Sequence, residues 1–488
     1  MDKVTWKKES GFIWALLGSA IGFGNILSFS AQCYKNGGGA FLIPFVIALL
    51  VLGLPMLFLE GAIGQRTGLP IVSAYGQVLG KPGKTIGWLM VAAVATIGGF
   101  YIVLTGYSVA YAYFSATDSI PADTASFFKQ TFLRDSGSLT TWGVLSTPIL
   151  LMTLFCAAFS WVVLTRNVRS GIEKICSFFM PILMVTILFF AIVVCFLPGA
   201  SEGFRHYLIP DFSKLRDGHL WRDVFGHVFF SFSLGLGIIT GYARYSTSNT
   251  SIPKAMWYMA LGNLLISVTA GFAVFGAVGY LSHVSEVPFK EIVKSDSTFE
   301  MGFVIFPQIL HLFTPWIGSL IGVIFFLGLF IAGITGVFSI AESFAGNIEV
   351  EYGFSRKRSV TITSLVMMMI SLIFCMGNGQ RILGALAPML LGNNMLLGGL
   401  TEVIVFMYIA KNIRSDPLWF RDGKQTFIYY LAKRVVPFIL LLILISAIHA
   451  DLQVPVGPAE LVRWGWFAAA LSLGGLLSQK SRKISAIA

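Results

Sequence analysis

The chain has 488 residues, of which 56% are hydrophobic and only 12% charged, with a mean hydropathy of +0.79 and a net charge of +11. So few charges cannot cover a soluble body of this size, which leaves an all-α polytopic membrane protein in contact with the lipid bilayer. Apolar runs of roughly 20 residues, enough to span, fall in chain order at 11–34, 39–63, 86–116, 142–164, 175–197 and 220–243. They continue at 255–282, 315–345, 359–377, 383–410, 427–449 and 461–479, giving about twelve transmembrane helices. The leading segment MDKVTWKKES runs into the first span with no small-residue cleavage pattern, so that span is expected to stay in the mature protein.

With the N-terminus cytoplasmic, 23 of the 34 Lys and Arg residues lie on the inner side and 11 on the outer side. That bias predicts both termini inside, in the cytoplasmic membrane if the source is bacterial. The positive charge then reflects topology and attraction to anionic lipid heads and calls for no nucleic acid. Cys33, Cys156, Cys176, Cys195 and Cys375 have no metal-ligand spacing and are expected to be free, buried thiols. The longest loops, at about 117–141, 198–219 and 283–314, could house no ATPase or kinase domain, and no phosphate-binding Gly-rich motif is present, so energy for transport would come from an ion gradient. No Ser/His or paired-aspartate arrangement suits an enzyme; Glu60 is isolated and reads as a structural acceptor near the sixth span. Nothing in the sequence speaks to oligomeric state.

Two spans carry an irregularity. The first contains SAIGFGN and the sixth SFSLGLG, each combining small hydroxylic residues with Gly-x-Gly at mid-membrane depth. Taken alone, Gly18 and Gly22 fit ordinary small-residue packing. Repetition at the head of two successive sets of five spans favours a five-plus-five inverted repeat with broken helices 1 and 6. The single transporter domain, 1–488, then divides into a first repeat 11–197, an inverted second repeat 220–410, and two added helices within 427–479. Irregular backbone at that depth is tolerated only where it lines a cavity.

These stretches also resemble a known family. GSAIGFGN, NGGGAFLIP, GLPMLFLEGAIGQR, SGIEKICSFFMPIL, FIAGITG and GLTE are similar to the signature of the neurotransmitter:sodium symporter family, whose bacterial members have the LeuT fold. The resemblance implies a sodium-coupled symporter that imports a neutral, hydrophobic or aromatic amino acid by alternating access. It implies a first sodium at Ala20, Asn25, Ser231 and Asn263, and a second at Gly18, Ile21, Ala332 and Thr335, where Gly336 replaces a usual hydroxyl or carboxylate. Oxygen ligands of this kind suit a hard cation. Gly22 stands where monoamine carriers of the family place an aspartate, so the substrate is implied to bring its own carboxylate. By the same resemblance that carboxylate meets the amides of Phe23 and Gly24 and the hydroxyl of Tyr101, and the ammonium meets carbonyls of Ala20, Phe230, Ser231 and Ser233. Ile97, Phe230, Leu236, Gly336 and Ile340 would wall the side-chain pocket.

The resemblance further implies a candidate chloride site at His227, Ser231 and Ser267, although Phe45 and His227 replace the usual tyrosine and glutamine. The family's outer arginine and its aspartate partner correspond to Ser28 and Ala387, which leaves Tyr101 and Phe230 as the outer gate. The inner gate keeps Lys3 and Trp6, with Glu349 or Glu351 as the acidic partner. Three rival readings stand beside the symporter: a proton-coupled carrier of the same fold, a transport-deficient amino acid sensor, and a channel.

Overall fold

The computed structural model describes residues 4–293, 298–421 and 424–481. Among these residues ten helices are long and apolar enough to cross a bilayer, and a bent pair makes eleven. The crossings are α1 (Glu9–Ala20 and Gly24–Lys35, bent by 56°), α2 (Gly39–Thr67), α3 (Lys81–Ala116), α4 (Thr147–Leu164) and α5 (Arg169–Phe196). A sixth, α6, consists of two short helices, Gly218–Ser231 and Ile238–Ala243. Then come α7 (Ile252–Ser285), α8 (Pro315–Tyr352), α9 (Arg356–Phe374), α10 (Gly379–Ile409), α11 (Phe427–Gln453) and α12 (Pro458–Lys480). Counting α6, the crossings number the twelve read from the hydropathy.

Local chemistry sets the boundaries. Asp217 accepts a hydrogen bond from the His219 amide at the head of α6, Ser251 from Lys254 at α7, and Ser355 from Arg358 at α9, so each side chain satisfies an otherwise orphaned amide. The fourth span starts at Thr147 rather than 142 because Pro148 sits in the first turn, where its missing amide costs nothing. The last span, the shortest in the hydropathy, is a 23-residue helix. Among the described residues the only paired strands are the two-residue segments Phe420–Arg421 and Lys424–Gln425.

The long helices α3 and α8 pack against each other along much of their length, and the first half of α1 lies against α5, α7 and α8. Lipid is as apolar as leucine, so this packing rests on close contact rather than on water exclusion. The same fact corrects the expectation for cysteine. Cys33, Cys156, Cys176 and Cys375 are buried, but Cys195, near the end of α5, is exposed, because an apolar run facing lipid has the same hydropathy as one facing the core.

Candidate functional site

The α1 helix stops where Ile21 turns extended (φ −93°, ψ 106°) and resumes at Gly24. Asn25 closes the gap: its Oδ1 accepts from the Gly22 amide at 3.0 Å, and its Nδ2 donates to Ser231 Oγ at 3.0 Å and Ser267 Oγ at 2.9 Å. The α6 break runs through Ser233, Gly235 and Gly237, with φ of 53°, 71° and 68°. Two of the three are glycine, the residue that takes this backbone without a Cβ penalty. The Gly235 amide donates to Glu60 Oε1 at 2.9 Å, as expected of an acceptor near the break. Glu60 is not isolated, however. The fully buried Glu402 of α10 stands beside it, a neighbour across more than 300 residues of chain that spacing cannot reveal.

The two breaks meet. Asn263 of α7 donates through Nδ2 to the carbonyls of Ala20 and Ser231, both at 3.3 Å, and to Ser231 Oγ at 3.0 Å. Ala20, Asn25, Ser231 and Asn263 therefore surround one buried point lined by oxygens. The second group is also brought together in part: a Cβ on Gly18 would lie 3.1 Å from Thr335 Cβ, and Thr335 Oγ1 donates to the carbonyls of Ile331 (2.9 Å) and Ala332 (3.2 Å). Ile21 stands at the break itself.

Beside these residues lies a narrow cavity, with about 40 Å³ of room for the centres of water-sized molecules. Ala20, Gly22, Gly24, Tyr101, Ser231 and Ser233 line its polar end, and Ile97, Phe230, Leu236, Gly336 and Ile340 its apolar end. Phe23 departs from the expectation. Its ring packs edge-on against Tyr101 at 5.3 Å and faces the outer vestibule, while its amide points to the Tyr101 hydroxyl at 3.4 Å. Sequence reading missed Ser19, Ile238, Ser339, Leu391 and Met395 on the cavity wall. Leu391 and Met395 are a one-turn apolar pair of α10, indistinguishable by type from lipid-facing residues.

Tyr101 explains two glycines. A Cβ on Gly22 would sit 2.1 Å from its hydroxyl, and one on Gly336 would sit 2.8 Å from its ring. The glycine at 336 makes room for this ring, so a hydroxyl placed there would displace Tyr101.

Phe230, Tyr101, Gly24 and Leu391 line both this cavity and a wide vestibule, and so separate them. Ser28 and Ala387 both face the vestibule, an uncharged pair across the mouth. His227 lies one turn from Ser231 in a cage of Phe29, Phe41 and Phe45, with ring centroids 5.7, 6.0 and 5.8 Å away, and its Nε2 has no partner. Ser231 and Ser267 meet through Asn25, but among the described residues no hydrogen bond joins either to His227.

On the opposite face Lys3 lies outside the described residues. Trp6 is buried, donating through Nε1 to the Tyr242 carbonyl at 3.0 Å and through its amide to Tyr245 at 3.1 Å. Glu351 is committed elsewhere, to Lys84 at 2.6 Å and Ser73 at 2.5 Å, and Glu349 stands 3.8 Å from Arg356. The acid at the centre of this face is Glu342, which spacing did not single out. It accepts from Tyr245 at 2.7 Å, from Arg244 at 3.3 Å and from Arg356.

Comparison with known proteins gives the family and the fold. Residues 3–125 and 122–479 match the sodium:neurotransmitter symporter family. An uncharacterised sodium-dependent transporter of Methanocaldococcus jannaschii is 34% identical over 84% of this chain and 82% of its own length. The mouse sodium- and chloride-dependent neutral and basic amino acid transporter B(0+) is 25% identical over 92% of this chain and 79% of its own. The crystal structure of MhsT in complex with L-phenylalanine superposes with a TM-score of 0.77 at 24% identity, covering 91% of this chain and 99% of that one, so the two share the LeuT fold. The chain is an integral membrane protein and a member of the sodium:neurotransmitter symporter family.

Proposed function

We propose that the protein is a sodium-coupled symporter for a neutral amino acid with an apolar side chain, working by alternating access. The observation that carries this reading is the meeting of two broken helices at an oxygen-lined point beside a cavity. The Asn263 amide nitrogen lies among three oxygens, the donor set a hard cation takes; turning that amide would offer Oδ1 to sodium. The substrate carboxylate would complete the shell while contacting the Gly24 amide and the Tyr101 hydroxyl, and the ammonium would meet carbonyls at the α6 break. Freed helix ends provide the matching partial charges.

The lining supports the side-chain class: with no charged residue on its wall, the cavity suits an aliphatic or aromatic side chain rather than an ionised one. MhsT holds L-phenylalanine in a protein of the same fold, and the mouse relative is named for neutral and basic amino acids. A second sodium is assigned to Gly18, Ile21, Ala332 and Thr335. Chloride is assigned to Ser231 and Ser267 with His227 as an outer neighbour, and the basic-residue bias places both termini in the cytoplasm.

Site variants test the assignment. Asn25→Ala, Asn263→Ala and Tyr101→Phe each remove a contact to the ion or the carboxylate. Each is expected to weaken amino acid binding in sodium by about tenfold or more, the scale of a lost hydrogen bond to a charged group. Wild-type affinity by calorimetry in all three would refute it.

A further inference from the structure

The segment that leads into α1 is held by a device that the transport site does not require. The helix begins at Glu9, and Lys8 at its cap makes no side-chain capping bond. Instead Glu173, from the first turn of α5, reaches across. Its Oε2 accepts from the Lys7 amide at 2.8 Å and its Oε1 from the Lys8 amide at 3.2 Å. The approach is so close that a Cβ on Gly11 would lie 2.2 Å from Oε1, so a side chain there would push the carboxylate out of this position. One turn earlier in the same π-helical stretch, Arg169 donates to the Thr5 carbonyl (2.5 Å) and hydroxyl (2.8 Å). Glu173 is buried.

Residues 5–8 are thus gripped from two sides: by α5 through Arg169 and Glu173, and by the second half of α6 through Trp6. The Trp6 grip uses carbonyls and ring packing, which tolerate small shifts. The Glu173 grip is a carboxylate at the positive end of a helix, and it accepts from two first-turn amides for which no second acceptor stands among the described residues. Irregular π turns recur at functional places in helices, and this one presents both α5 contacts.

We propose that Glu173 is a positioning residue that caps α1 in trans and latches the N-terminal face of the pathway shut, so that opening this face requires the carboxylate to release Lys7 and Lys8. The proposal rests on the alternating-access reading above. It assigns α5 an active part, since movement at the start of α5 would carry the latch away from α1 while the breaks at mid-depth stay intact.

The chain carries its own reporter. Cys176 of α5, one turn past Glu173, is fully buried against the first half of α1, with its Sγ 3.3 Å from where a Cβ on Gly18 would sit. Release of the strap that lets the first half of α1 swing away exposes it. The experiment uses the full chain in nanodiscs, comparing wild type with Glu173→Gln and Glu173→Ala. Labelling of Cys176 by a membrane-impermeant thiol reagent is read by peptide mass, and hydrogen exchange is followed over residues 5–17 and over α3. Glu173→Ala is expected to raise both the labelling rate and strap exchange by about tenfold or more, as for loss of a hydrogen bond to a charged group. Glu173→Gln, which keeps the shape and can still accept, should fall between, and α3 should keep its protection. Unchanged rates in both variants would overturn the proposal. So would an equal loss of protection in α3, since Glu173 would then be general packing. Because neither readout uses substrate, a wild type that binds no amino acid would remove the proposed function while leaving the latch standing or falling on its own data.

Discussion

The two mouths of the cavity are closed by different chemistry. Arg222, Asp223 and Asp451 stand on the vestibule wall, but Ser28 and Ala387 are uncharged, and the residues between vestibule and cavity are Gly24, Leu391 and the rings of Phe230 and Tyr101. At the N-terminal face, Glu342 binds Arg244, Arg356 and Tyr245, Trp6 is buried, and Glu173 caps α1. Buried charges are costly unless paired, so a seal made of them is either fully assembled or strongly destabilised. Rings at the other mouth can swing with little penalty. The difference implies that the vestibule gate follows the ligand, whereas the opposite gate needs a concerted release.

The largest effect should come from breaking the charged seal. Glu342→Ala takes the carboxylate from the buried Arg244 and from the half-buried Arg356, which keeps only Glu349 at 3.8 Å, and is expected to cost about 3 kcal/mol, read as a large fall in thermal midpoint in detergent. Glu342→Gln should lose less. A midpoint unchanged in Glu342→Ala would mean that these groups are solvated in the membrane and that the contrast between the mouths is not real.

A charge pair in place of Ser28 and Ala387 sharpens the contrast. Ser28→Arg and Ala387→Asp singly should each weaken substrate binding, and the double variant should recover, with a coupling of about 1 kcal/mol in a double-mutant cycle. Strict additivity would show that the two positions do not meet during closure.

The smallest effect concerns the surface. Arg381 at the head of α10 binds the loop residue Asp135 at 2.8 and 2.7 Å, and this hydrogen bonding holds the Asp135 carboxyl below its usual range. A carboxyl lowered in the folded state adds stability that is complete above about pH 4, its unfolded value, and fades as pH falls through the folded one. Both groups are partly exposed, so the contribution is at most about 1 kcal/mol. Arg381→Ala should flatten that part of the acid unfolding profile; an identical profile would show that the pair contributes nothing.

Much of the candidate site was legible because it violates its surroundings. Gly-x-Gly, Asn25 and Asn263 stand out in spans that should be uniformly apolar, and the structure brings Asn25, Ser231 and Asn263 together. What was illegible depended on three-dimensional pairing. Glu342 finds Arg244 across 98 residues, and Glu60 finds Glu402 on a helix far along the chain. Glu173 looks like an ordinary loop acid until its distance to Lys7 is known. The apolar wall was hidden for another reason: in a bilayer both faces of a helix are apolar, so Leu391 and Met395 in the cavity read like Phe196 on the outside, which is 83% exposed.

The central claim is that the broken helices form one site for sodium and an amino acid together. Calorimetry of a panel of neutral amino acids against the purified wild type, in sodium and in choline at equal ionic strength, tests it most directly. The account predicts binding of an aliphatic or aromatic member in sodium, and loss of that binding in choline. Equal affinity in the two salts would contradict it.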